Sequence, residues 1–192
     1  ILDSEKFIPS KKNKLKKTRV LYGAMGGKTN PYKGWEHFIY LIENLNDAIK
    51  ENIEIYLFGY NFTELEMSKL PCQVKSYGIV YSEDKMVEIY QNSDVFIFPS
   101  LQESFGQTLF EAMACGVVPI AYNVGAASDL IVNKWNGYII PVGDKEKLLD
   151  IFQKLITSDD ILLMKKRARQ QIDEKFSSKY LISQHINLIN IK

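Results

Sequence analysis

Strand-like apolar runs and helix-period segments alternate along this chain almost from end to end, and that alternation leaves few folds open to it. Arg19 to Met25, Ile53 to Tyr60, Val74 to Val80, Asp94 to Pro99, Val117 to Tyr122 and Gly137 to Pro141 read as strands. Helices are predicted from Lys33 to about Ile49, Glu64 to Leu70, Glu83 to Asn92, and Gln107 to Ala114. A short helix begins within Gly125 to Ile131, and the remainder to Lys192 reads as helical. Ser82 precedes Glu83 as a candidate N-cap, because its hydroxyl can accept from a free first-turn amide. Strands with near-continuous apolar sequence must be covered on both faces, which requires a parallel sheet between helices. The expected fold is α/β: a single Rossmann-like domain with a parallel sheet covered by helices on both faces. In such a fold ligands sit at the carboxyl ends of the strands, where the strand order switches.

The chain's 192 residues suit one sizeable domain with a real core. A formal net charge of +1 gives no global case for nucleic acid or membrane binding. The basic run Lys11-Lys12-Asn13-Lys14-Leu15-Lys16-Lys17 reads as a solvated linker before the first strand, in preference to a membrane-surface patch. Cys72 and Cys115 are too few for a disulfide framework and lack metal-ligand spacing, which favours a reducing cytoplasm. No stretch approaches the roughly 20 apolar residues of a spanning helix. Ile1 stands where a methionine would open a complete chain, so the sequence reads as a piece of a longer protein.

Three loops could carry chemistry, and each follows a strand. In Glu103-Ser-Phe-Gly-Gln-Thr-Leu-Phe-Glu111 two carboxylates stand with seven residues between them. Glu103 falls in a strand-to-helix turn, and Glu111 about two turns into a helix of Leu109, Phe110, Ala112, Met113 and Ala114. That helix is too apolar to lie on the surface, so the Glu111 carboxylate needs a hydrogen-bonding partner, a need that two adjacent ribose hydroxyls would meet. Gly106 lets the backbone approach a ligand, and the amides of Gln107 and Thr108 open the helix without internal partners. The second loop, Gly23 to Lys33, contains Gly26, Gly27 and Lys28 and opens the next helix, an arrangement that favours a diphosphate. It matches neither the Walker A nor the dinucleotide glycine pattern, and an ordinary flexible connection is an equal reading. The third loop, Asn123 to Ile131, offers amides at Gly125 to Ala127, with Ser128 or Asp129 as a plain helix cap. His37 and His185 lie far apart on predicted helices without suitable neighbours, and no metal cluster is visible.

These three loops, in this order, resemble the donor-binding half of a family 4 glycosyltransferase, a retaining family of the two-Rossmann GT-B architecture. Tyr32-Lys33-Gly34-Trp35 is similar to the family's Lys-Gly at the start of the first helix, whose lysine contacts the donor diphosphate. Ile55-Tyr-Leu-Phe-Gly59 resembles its second strand. Asp94 to Ser100, then Glu103-Ser-Phe-Gly106 and Glu111-Ala112, is similar to its signature, in which the first glutamate lies against the transferred sugar and the second holds the ribose. Cys115 to Ile120, Gly125 to Asp129, Asn136-Gly137 and Pro141 match the segments that follow, and Leu2-Asp3 with Phe7 and Pro9 looks like its inter-domain linker. Ala24 departs from the arginine usual there, and Asp129 stands where glutamate is commoner.

The resemblance implies residues 1–18 as a linker remnant, 19–176 as the nucleotide-sugar-binding domain, and 177–192 as a helix crossing back to an N-terminal acceptor domain absent from this chain. Along that helix, roughly Ser178 to Ile191, Leu181, Ile182, Ile186 and Ile189 form one stripe. The implied activity of the full-length enzyme is transfer of a hexose from a nucleotide diphosphate sugar to a glycan or lipid-linked acceptor, with retention, in bacterial surface polysaccharide synthesis. Lys33 and Glu103 are the expected catalytic residues, Lys33 on the leaving diphosphate and Glu103 on the sugar. Glu111, Phe105, Gly106, Gln107, Thr108, Lys28 and Gly26 are the expected substrate-binding residues. No metal or other cofactor is expected, nor nucleic acid. The expected location is the cytoplasm, with peripheral association of the full-length protein at the inner face of the plasma membrane as a further expectation. The rival readings are a non-catalytic nucleotide-sugar-binding or regulatory module, and a sugar-nucleotide epimerase of the same architecture.

Overall fold

The computed structural model describes residues 4–10, 17–177, 180, 182 and 186. Its six strands are β1 (Thr18–Gly23), β2 (Ile53–Phe58), β3 (Gln73–Ser76), β4 (Val95–Phe98), β5 (Val118–Tyr122) and β6 (Tyr138–Ile140). They form one parallel sheet in the order β3-β2-β1-β4-β5-β6, with Val20 aligned to Ile55 on one side and to Val95 on the other. The helices are α1 (Trp35–Glu43), α2 (Asp47–Asn52), α3 (Glu64–Ser68), α4 (Glu83–Gln91), α5 (Gln107–Ala114), α6 (Ala127–Leu130), α7 (Lys145–Ile156) and α8 (Ile161–Lys175).

The pleat sends successive side chains to opposite faces and so builds two cores. Leu21, Phe96 and Phe98 pack with Tyr90 of α4, α5 and Ala168 and Ile172 of α8. Val20, Tyr22, Val95 and Ile97 pack with Phe38, Leu41 and Ile42 of α1 and with Leu148 and Phe152 of α7. The expected layered α/β fold is therefore present, and buried residues run continuously along β4 and β5.

Local differences from the sequence reading have local causes. The single helix expected over Lys33 to Ile49 is two helices preceded by a 3-10 turn at Pro31–Lys33. Asn46 adopts extended backbone and its side chain accepts from the Ile49 amide at 2.9 Å, an N-cap in the middle of an apolar stripe. β3 ends at Ser76 rather than Val80, and Gly78 beyond it gives its carbonyl to the Gly59 amide. Neither Ser128 nor Asp129 caps α6; both lie within it, and Ala126 occupies the cap position without a side-chain bond. Ser82 does cap α4, accepting from the Lys85 amide. The expected terminal helix falls outside the described residues except for Tyr180, Ile182 and Ile186, which are helical and exposed. His185, Leu181 and Ile189 lie outside them, as do Leu2-Asp3 and most of the basic run.

At the amino ends of the central strands, a buried ion cluster ties α8 to the sheet. Arg19 donates to Asp94 from its backbone amide (3.0 Å), Nε (3.0 Å) and Nη2 (3.2 Å), and Lys165 of α8 reaches the same carboxylate at 2.7 Å. Burial works to raise the Asp94 carboxyl, but Arg19 and Lys165 outweigh it and hold it below its ordinary value. Arg169 of α8 donates to the carbonyls of Ser4, Phe7 and Ala114, fixing the amino-terminal segment with Phe7 buried against Tyr90.

Candidate functional site

β1 and β4 are neighbours in the sheet, yet the chain leaves β1 for α1 on one face and β4 for α5 on the other. That divergence opens a crevice at their carboxyl ends. The two loops that bound it are joined by contacts that position their side chains. The Leu101 amide donates to the Tyr32 carbonyl (2.8 Å), and the Tyr22 hydroxyl donates to the Lys33 carbonyl (3.2 Å). Gly34 sits in the left-handed region (φ 67°), and a Cβ there would lie 1.9 Å from the Pro99 carbonyl oxygen, so only glycine permits this approach. The result is that Lys33 Nζ lies 2.5 Å from Glu103 Oε1.

Glu103 leads into the start of α5. Gly106 occupies its N-cap position in the left-handed region (φ 95°) and has no side chain to cap with. The Leu109 and Phe110 amides return to the Gly106 carbonyl, which leaves the Gln107 and Thr108 amides at the open end of the helix. Phe105 is exposed beside them, while its carbonyl accepts the Ala126 amide at 2.8 Å and draws the loop after β5 against the loop after β4. The Ala127 amide is also spent internally, on the Val124 carbonyl.

Just over one turn along α5, Glu111 is 7% exposed. Gln107 Nε2 donates to its Oε1 at 2.8 Å and the Tyr90 hydroxyl to its Oε2 at 3.0 Å. Burial raises the Glu111 carboxyl above its ordinary value, with these two donors opposing the shift. The partner expected for this carboxylate thus already exists in part within the protein.

Lys28 and Gly26 face a different direction. The Gly26 amide donates to the Gly59 carbonyl (3.1 Å), and Lys28 pairs with Glu66 of α3 while lying 5.3 Å from the Tyr60 ring centre. Lys28 and the capping Thr63 hold the Glu66 carboxyl down to about 2. Ala24 is buried, and its carbonyl oxygen lies 2.0 Å from where a Cβ on Gly59 would stand. His37 contacts the Tyr122 hydroxyl at 2.7 Å, and burial, with Lys145 nearby, lowers its pKa. Among the described residues no group of three His, Cys, Asp or Glu could hold a metal ion.

The crevice thus sets one lysine beside one carboxylate at an open helix N-terminus, with a second carboxylate just over one turn along that helix, groups that suit a ligand anionic at one end and rich in hydroxyls at the other. The profile of the family described as "Glycosyl transferases group 1" matches residues 4–175. The chain belongs to that family. The chain is similar to the capsular polysaccharide biosynthesis glycosyltransferase CapM of Staphylococcus aureus, 33% identical over 96 residues, 50% of this chain and 25% of CapM. The chain spans less than half the length of the curated relatives it matches. In fold it is similar to the C-terminal domain of a glycosyl transferase group 1 protein (LpcC) from Francisella tularensis, with TM-score 0.75 and 20% identity, covering 92% of this chain and 98% of that one. It is also similar to Anabaena HepE, solved in complex with UDP-glucose, with TM-score 0.70 and 18% identity, covering 92% of this chain and 49% of HepE.

Sequence reasoning missed two residues that bear on this candidate site. Tyr90 supplies the hydroxyl beneath Glu111, and Glu66 draws Lys28 aside. Tyr90 had a signal: it carries a hydroxyl on a helix face otherwise formed by Met86, Val87 and Ile89, and a buried carboxylate needs a donor. Glu66 had none, because charged residues are plentiful along the surface helices.

Proposed function

We propose that this chain is the donor-binding half of a retaining glycosyltransferase that transfers a hexose from a nucleotide diphosphate sugar. The observation that carries the reading is the 2.5 Å Lys33–Glu103 pair at the mouth of the uncapped α5 N-terminus, with Glu111 just over one turn along the same helix. A diphosphate lying on the Gln107 and Thr108 amides places its charge beside Lys33, which neutralises the leaving group as the glycosidic bond breaks. Glu103 then exchanges Lys33 for sugar hydroxyls, and Glu111 accepts from the ribose. The reading assigns the diphosphate charge to lysine and amides rather than to a metal. It assigns no enzyme nucleophile. The rest of the full-length protein supplies the acceptor site, for a glycan or a lipid-linked sugar in polysaccharide synthesis, at the cytoplasmic face of the membrane. HepE's complex with UDP-glucose and the capsular relative support the donor class and the setting.

Calorimetric titration of UDP, GDP, ADP and their glucose conjugates into the chain tests the reading. One nucleotide should bind, its sugar conjugate should bind more tightly, and Lys33→Ala should weaken the diphosphate far more than the nucleoside. Lys33→Ala with wild-type affinity for every diphosphate refutes the phosphate assignment.

A further inference from the structure

Tyr90 is enclosed in the core between Phe7, Phe58 and Phe96, at ring-centre distances of 6.1, 6.1 and 6.5 Å. Packing alone would be served by phenylalanine. A buried phenol needs a hydrogen-bond partner, and this one donates to Glu111 Oε2 at 3.0 Å while Gln107 holds Oε1 at 2.8 Å. The two donors come from different helices, α4 and α5, and each takes one oxygen. A carboxylate on a flexible two-carbon stem is thereby fixed in one orientation, with its remaining acceptor directions free.

We infer that Tyr90 is a positioning residue that acts through Glu111, holding that carboxylate so that it reads a vicinal pair of ribose hydroxyls on the donor nucleotide. The inference rests on the donor-binding reading above. It adds a residue outside the crevice, too deep to touch the donor, that sets how the site recognises ribose. Proton-bearing or charged groups facing Glu111 are Tyr90 and Glu83 from α4 and Cys115 from the end of α5. Of these, Tyr90 is the one that hydrogen-bonds it, so removing the phenol hydroxyl leaves burial and Glu83 less opposed and raises the carboxyl further.

Tyr90→Phe keeps the ring and removes the hydroxyl. Two readouts on the chain separate positioning from packing. UDP titrations should show about tenfold weaker binding, with discrimination of UDP over 2′-deoxy-UDP reduced, and binding on acidification should fail at a higher pH than in wild type. Carbon-detected NMR of the Glu111 carboxyl, assigned by its loss in Glu111→Gln, should titrate at a higher pH in Tyr90→Phe. A Glu111 titration that does not move in a folded Tyr90→Phe overturns the inference, whatever happens to thermal stability. Glu111→Gln that binds UDP like wild type instead sinks the ribose reading, and the titration alone then decides whether Tyr90 positions the carboxylate.

Discussion

In the proposed donor-binding function Glu111, Glu103 and Lys33 take separate roles, and single substitutions should distinguish them. Glu111→Ala removes a charged acceptor and should weaken nucleoside diphosphate binding by about 1.5–3 kcal/mol in a calorimetric titration. Glu103→Gln releases Lys33 from its 2.5 Å partner, so the bare diphosphate should bind at least as tightly as in wild type. The same variant should lose the preference for the sugar conjugate. Equal losses of bare diphosphate in both variants would contradict this division of roles. These three residues were legible in the sequence because each follows a strand and stands at a fixed spacing from glycines that shape the turn. The direction of Lys28 was not legible. A lysine in a Gly-rich loop can reach several neighbours, and only the fold brings Glu66 and the Tyr60 ring to it.

Elements carry the next set of constraints. The sheet and its two helical layers follow from the apolar runs, since each run long enough to be buried on both faces had to become a central strand. The break at Asn44 to Asn46 was hidden by an apolar stripe that continues through Leu45 into Ile49, where capping chemistry prevailed over periodicity. Asp94, read from sequence only as the start of a strand, anchors β1, β4 and α8 together. Asp94→Asn should leave the buried Arg19 and the part-buried Lys165 without their counter-charge and cost about 3–5 kcal/mol in denaturant unfolding. Because the folded Asp94 carboxyl lies below its ordinary value, its contribution is complete above the unfolded carboxyl value of about 3.9 and fades as pH falls through the folded one. Acid unfolding curves of wild type and Asp94→Asn should therefore converge at low pH. Gly34→Ala, which forces a Cβ onto the Pro99 carbonyl, should separate the two loops and weaken diphosphate binding as well as stability.

At the scale of the molecule, the chain accounts for under half the length of its curated relatives, and its crevice presents groups suited to a donor. The chain alone should bind a nucleotide sugar and transfer no sugar to any acceptor, measured by release of free nucleotide. Binding should survive excess EDTA if lysine and helix amides meet the phosphate charge; affinity that collapses on chelation would reassign that role to a metal. The pair at the centre of the crevice also has a consequence for how the protein folds. Lys33 and Glu103 are separated by 70 positions in the chain, and they meet only after β1 has paired with β4, skipping the whole of β2 and β3. Contacts of such sequence separation tend to form late, so the crevice should assemble after the local helices and the β1–β2 pairing. A ligand that spans the two residues clamps the sheet at its least local seam. It adds its binding free energy to the stability of the entire domain, and the melting temperature should climb with ligand concentration as mass action requires.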